Sequence, residues 1–180
     1  MEYVDFDLKR PYKSEPAEGP VFWLVHPCYR SWCNPDEWRE VVDFAANYSG
    51  TLMVTQNELG IPRELNFSGS VDRLKDDDRI HFGWWDVLSV IWYNHLPKLK
   101  EKDHLVFGQM VDDCEMDLVK NLIRFIPPFK IHVLRRYSFS RNSEQSVEDA
   151  IQFYLQNKIN IFNGKSSELE KYLMEKYEKN

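Results

Sequence analysis

Apolar residues along this chain fall into short unbroken runs, separated by longer stretches in which they recur every three or four positions. Val21-Phe22-Trp23-Leu24-Val25 is the first run, closed by His26-Pro27. Five apolar residues without alternation predict a strand buried on both faces. After Asn34-Pro35, an N-cap followed by proline at the first helical position, Trp38, Val41, Val42, Phe44 and Ala45 keep helical spacing as far as Gly50. Thr51-Leu52-Met53-Val54-Thr55 is again short, apolar and partly β-branched, and predicts a second strand.

The stretch 56–83 holds Gly60, Pro62, Gly69, Gly83 and the charge run Lys75-Asp76-Asp77-Asp78-Arg79. It reads as a long connector, of the kind that covers a site or meets another subunit. Helical spacing returns from Trp84 to Leu99, the run His104-Leu105-Val106-Phe107-Gly108 predicts a strand, and Cys114 to Ile126 predicts a helix ended by Pro127-Pro128. A strand over Lys130 to Leu134, a helix from Ser143 to Gln156, a strand at Ile159 to Phe162 and a final helix capped by Ser166 complete the pattern.

Strands alternating with helices of three or four turns require right-handed crossovers, which place strands in parallel and helices on both faces. The expected architecture is therefore a three-layer α/β/α domain around a central, mainly parallel sheet of five or six strands. Residues 1–19 carry Pro11, Pro16 and Gly19 without periodicity and are expected to form an N-terminal extension, with one domain over 20–180.

Composition narrows the function. With 23 Lys and Arg against 29 Asp and Glu, the net charge of -6 offers no basic field for a phosphate backbone, so nucleic acid is not expected as a partner. No apolar run approaches the ~20 residues that span a bilayer, so no membrane partner is expected and the chain reads as cytoplasmic. Three cysteines are too few for a disulfide framework. Aromatic residues make up 14% of the chain, an excess that predicts a pocket or a homodimeric or larger interface lined with rings.

In an open parallel sheet, ligands gather where strand carboxyl ends meet helix N-termini. The polar residues in that zone are His26, Cys28, Tyr29 and Arg30, then Gln56, Asn57 and Glu58, then Asp112, Asp113 and Cys114, then Arg135 and Arg136. Cys114 stands out, because a thiol in the first turn of a helix is acidified by backbone N–H groups that also suit an oxyanion. Its alternative role is that of a small apolar filler. Asp112 and Asp113 suit capping, and their charge opposes thiolate formation. His26, Cys28 and Cys33, with His81, lack the paired short spacings of a zinc site, so no metal is expected. Trp84, Trp85 and Trp92 fit either helix packing or a ligand pocket. No strand is followed by a glycine-rich phosphate loop, which argues against nucleotide binding.

The segment Gly108-Gln109-Met110-Val111-Asp112-Asp113-Cys114 resembles that of the isochorismatase-like cysteine hydrolases, in which Gly, three residues, Asp and any residue precede the nucleophilic Cys. The order of elements from 20 to 175 is similar to that family as well. The resemblance implies an α/β hydrolase acting on a small-molecule amide or related bond, without an organic cofactor, through Cys114. It also implies a general base at His26, where the family has Asp, and an electrostatic stabiliser at Arg79, where the family has Lys. Cys28, Tyr29, Trp84, Trp85, Asp112 and Asp113 would line the pocket. Arginine keeps the charge but does not shuttle a proton, and Asn57 and Leu59 stand where nicotinamidases have Asp and His metal ligands. These departures make a catalytically inactive binding or interaction module of the same fold the alternative expectation.

Overall fold

The computed structural model describes residues 3–4, 19–25, 36, 40, 51–55, 61–62, 80–83, 96–109, 111–140 and 142–177. Eight strands are present among them: β1 (Tyr3–Val4), β2 (Val21–Val25), β3 (Thr51–Thr55), β4 (Ile61–Pro62), β5 (Ile80–Gly83), β6 (His104–Gln109), β7 (Ile131–Phe139) and β8 (Asn160–Phe162). Three helices are described through most of their length: α1 (Cys114–Leu122), α2 (Glu144–Gln156) and α3 (Ser166–Tyr177). Six strands form one sheet in the order β5-β3-β2-β6-β7-β8, with all neighbours parallel.

The apolar runs explain that order. Every residue of β2 is buried, and β2 pairs on both sides, Val21 with Thr51 and His104, Val25 with Thr55 and Gly108. A strand with no polar face is stable only inside a sheet covered on both sides. The alternation of side chains then assigns the two faces. Val21, Trp23, Met53, Val106, Ile131 and Val133 join Leu118, Val119 and Leu122 of α1 and Ala150 and Tyr154 of α2 in one core cluster. On the other face His132 of β7 meets Tyr172 of α3, and Phe162 of β8 packs on the same ring. Helices thus cover both faces, giving the α/β/α layering expected from the sequence.

Three features differ from the sequence expectation. The connector 56–83 contains two strands, β4 and the sheet member β5, whose four residues are too short to register as an apolar run. Within the N-terminal extension, Tyr3–Val4 pairs antiparallel with Ile61–Pro62. The strand expected to end at Leu134 continues to Phe139. Here Val106 pairs with Val133 and Gly108 with Ser138, so β6 advances two residues while β7 advances five. The surplus is a bulge held by Ser138 Oγ donating to the Leu134 carbonyl at 3.0 Å and Arg135 Nη1 donating to the Ser138 carbonyl at 2.9 Å. Arg135 and Arg136 interrupt the hydrophobic run, but the bulge still buries Tyr137 and Ser138.

Candidate active site

The carboxyl edge of the sheet is set by Val25, Gly108 and Ser138 side by side. Gly108 has φ +130°, and a Cβ there would lie 2.1 Å from the Val25 carbonyl oxygen, so only glycine lets β6 approach β2 this closely. The following loop is fastened at both polar groups of Val111. Its N–H donates to the Phe139 carbonyl at 3.0 Å and its carbonyl accepts from the Tyr154 hydroxyl at 2.8 Å. These two bonds, one to β7 and one to α2, aim the chain into α1.

Cys114 is the first residue of α1, half-buried, and a thiol rather than half of a disulfide. The first intrahelical bond runs from the Asp117 N–H to the Asp113 carbonyl at 2.8 Å. The N–H groups of Cys114, Glu115 and Met116 therefore precede the helical ladder, in the position where a helix stabilises negative charge. Asp113 occupies the N-cap without a side-chain cap bond and is exposed. Asp112 accepts from Asn142 Nδ2 at 2.9 Å through Oδ2, whereas its buried Oδ1 has no hydrogen-bond partner among the described residues.

Sequence reasoning passed over Glu115, which sits directly after Cys114 and is fully buried. Neither carboxyl oxygen has a hydrogen-bond partner among the described residues. Loss of hydration pushes this carboxyl up to about 8, against the opposing pull of Ser138 and Arg135 and with a further push from Asp112. Ser138 stands beside the carboxyl, but its hydroxyl proton is committed to Leu134. A signal for Glu115 was present in the sequence. Position 115 precedes Leu118 and Val119 by three and four residues, so the helical period places it on the buried face.

Of the other residues expected in the site, His26, Arg79, Cys28, Tyr29, Trp84 and Trp85 lie outside the described residues, as do Cys33, Asn57 and Leu59. Ile80 pairs with Leu52 and Gly83 with Thr55, so β5 starts near the amino edge and reaches the carboxyl edge only at Gly83. Among the described residues no group of three or more His, Cys, Asp or Glu is placed to hold a metal ion. An open groove of about 800 Å³ lies between Arg135, Asn142 and the Val147, Ile151 and Leu155 face of α2. Cys114 does not line it.

No family profile matches the chain, and no curated protein matches it by sequence. Solved structures do. A hypothetical protein from Trypanosoma cruzi aligns over 84% of this chain and 80% of its own, at 14% identity and a TM-score of 0.60. The nicotinamidase/pyrazinamidase PncA from Bacillus subtilis aligns over 80% of this chain and 100% of its own, at 8% identity and a TM-score of 0.57. YcaC from Pseudomonas aeruginosa, with hexane-2,5-diol and covalent acrylamide, aligns over 88% of this chain and 81% of its own, at 14% identity and a TM-score of 0.57. The fold is the isochorismatase-like α/β fold. Among the described residues no helix is long and apolar enough to cross a membrane.

Proposed function

We propose that this chain is a divergent isochorismatase-like hydrolase that opens an amide or related bond of a small molecule, with Cys114 as nucleophile. The observation that carries this reading is the placement of a half-buried thiol at the first position of α1, on the carboxyl edge of a parallel sheet. The thiolate adds to the substrate carbonyl carbon, and the oxyanion that forms accepts hydrogen bonds from N–H groups of the first helical turn. Collapse of that adduct expels the amine, which takes a proton, and water then cleaves the thioester to release the acid and restore the thiol. His26 is assigned the proton removed from Cys114, and Arg79 electrostatic support. Cys28, Tyr29, Trp84 and Trp85 are assigned to the pocket, with Asp112 and Asp113 at its rim.

The competing reading, an inactive binding module, is favoured by one observation: Cys114 is flanked along the chain by Asp112, Asp113 and the fully buried Glu115, whose charge would oppose a thiolate. The two readings separate in one experiment. Primary aliphatic and aromatic amides are offered to the protein and to Cys114→Ser, and the thiol is challenged with acrylamide. Turnover that Cys114→Ser abolishes, with a melting temperature nearly unchanged, is the expected result. Turnover that survives the substitution overturns Cys114 as the nucleophile, and an absence of turnover with a Cys114 inert to acrylamide leaves the binding module.

A further inference from the structure

Four residues from three elements converge on Glu115. Asp112 approaches from the loop before α1, Arg135 and Ser138 from the bulge of β7, and Tyr154 from α2. Arg135 Nη1 is engaged with the Ser138 carbonyl, the Tyr154 hydroxyl donates to Val111, and the Ser138 hydroxyl donates to Leu134. Every donor proton with a recorded bond around the carboxyl is therefore directed elsewhere, and Ser138 Oγ offers it only an acceptor. An ionised carboxylate can only accept, and among the described residues no hydrogen bond reaches either oxygen, whereas a carboxylic acid can donate to Ser138 Oγ. Ser138 and Arg135 pull toward the ionised form, but burial outweighs them and Asp112 adds to the push against it.

We propose that Glu115 is a positioning residue that carries a proton while Cys114 is reactive, and that losing this proton suppresses the thiolate. This inference rests on Cys114 being the reactive thiol of the proposed hydrolase. The helix N-terminus that favours the thiolate already faces the negative charge of Asp112 and Asp113. A third anion one residue from the sulfur would offset the remaining N-terminal field, so the buried proton keeps the local charge low enough for the thiol to ionise. Each of the two groups, thiol and carboxyl, then raises the value at which the other ionises, and they titrate as a coupled pair.

The test is the rate of Cys114 alkylation by iodoacetamide between pH 6 and 10, in the intact protein and in Glu115→Gln, with digestion to identify the modified thiol. In the parent the rate is expected to rise in two steps. In Glu115→Gln a single step is expected at lower pH, with alkylation near pH 8 faster by up to about tenfold, the scale of one unit charge at short range in a partly screened interior. A single step in the parent, or superimposable profiles, overturns the inference while leaving Cys114 a reactive thiol. A thiol that fails to react at any pH overturns the hydrolase reading and this inference together. Should Glu115→Gln not fold, infrared difference spectra of the parent between pH 6 and 9 read the carboxyl directly. Loss of a protonated-carboxyl band across that interval supports the proposal, and its absence at pH 6 overturns it.

Discussion

Among the described residues, both ends of the central sheet bury ionisable groups, and they treat them differently. At the amino end, Trp23 Nε1 donates to His104 Nδ1 at 3.0 Å, which leaves the proton on Nε2 to donate to the Leu99 carbonyl at 3.0 Å. On the opposite face of the same end, His132 bridges Asp103 Oδ1 at 3.0 Å and the Tyr172 hydroxyl at 2.8 Å. Both imidazoles are buried with both ring nitrogens bonded. At the carboxyl end, Asp112 Oδ1 and both oxygens of Glu115 are buried without a hydrogen-bond partner among the described residues. An unsatisfied buried polar atom costs about 1–3 kcal/mol, so among the described residues the carboxyl end carries a penalty that the amino end avoids. That contrast supports the proposed placement of the chemistry, because perturbed ionisable groups gather at functional sites.

Breaking the seam between the central strands should have the largest effect. Gly108→Ala places a methyl group in the Val25 carbonyl and imposes a positive φ on a residue with a side chain. The expected cost is about 4 kcal/mol or more, at the upper end for single substitutions. Urea denaturation measures it directly. A loss below about 1 kcal/mol would mean that β6 and β2 are not locked at this point.

The two ends should also lose stability in opposite directions of pH. Burial lifts Glu115 from 4.5 to about 8, so between those values the native state holds a proton that the unfolded chain has released. Stability then falls as pH rises through that window, by at most about 1.4 kcal/mol per pH unit. In Glu115→Gln this decline should vanish, making the variant progressively more stable relative to the parent toward pH 8. His104 behaves in the reverse sense, because burial lowers it from 6.5 to about 4. The unfolded chain takes up a proton in that interval and the native state does not, so stability is lost as pH falls from 6.5 toward 4. His104→Gln should flatten this acid-side loss while lowering stability at pH 7 by about 2 kcal/mol, through the two hydrogen bonds it disturbs. Denaturation midpoints at pH 4.5, 6 and 8 decide both; a Glu115→Gln curve parallel to the parent's would remove the contrast between the ends.

The central strands were legible in the sequence because burial on both faces leaves an unbroken apolar run, and β2 and β3 begin and end where Val21–Val25 and Thr51–Thr55 do. The edge strand β5 was not, since Ile80–Gly83 is short, contains His81 and Gly83, and follows a run of charges. The bulge in β7 was hidden for a different reason. Arg135-Arg136 looks like the exit from a strand, and only the pairing of Ser138 with Gly108 shows that the chain returns to the sheet. Within the site, Cys114 was legible from its strand-to-helix setting. Glu115 was overlooked because a carboxylate is normally assigned to solvent, although its place in the helical period is a core position.

The smallest expected effect tests whether the carboxyl end depends on α2. Ser143 is the N-cap of that helix and its Oγ accepts from the Ser146 N–H at 3.2 Å. The residue before it, Asn142, donates to Asp112, and one face of the same helix carries Tyr154, which holds the Val111 carbonyl. Ser143→Ala should cost about 1 kcal/mol, the usual worth of a serine cap. If α2 braces the loop that presents Cys114, amide hydrogen exchange should quicken around Val111 to Glu115 more than around His104 and His132, whose bonds run to Trp23, Leu99, Asp103 and Tyr172. Equal acceleration at both ends would mean that the cap acts on global stability alone, and that β7, through the bond from Val111 to Phe139, is the brace that positions the thiol.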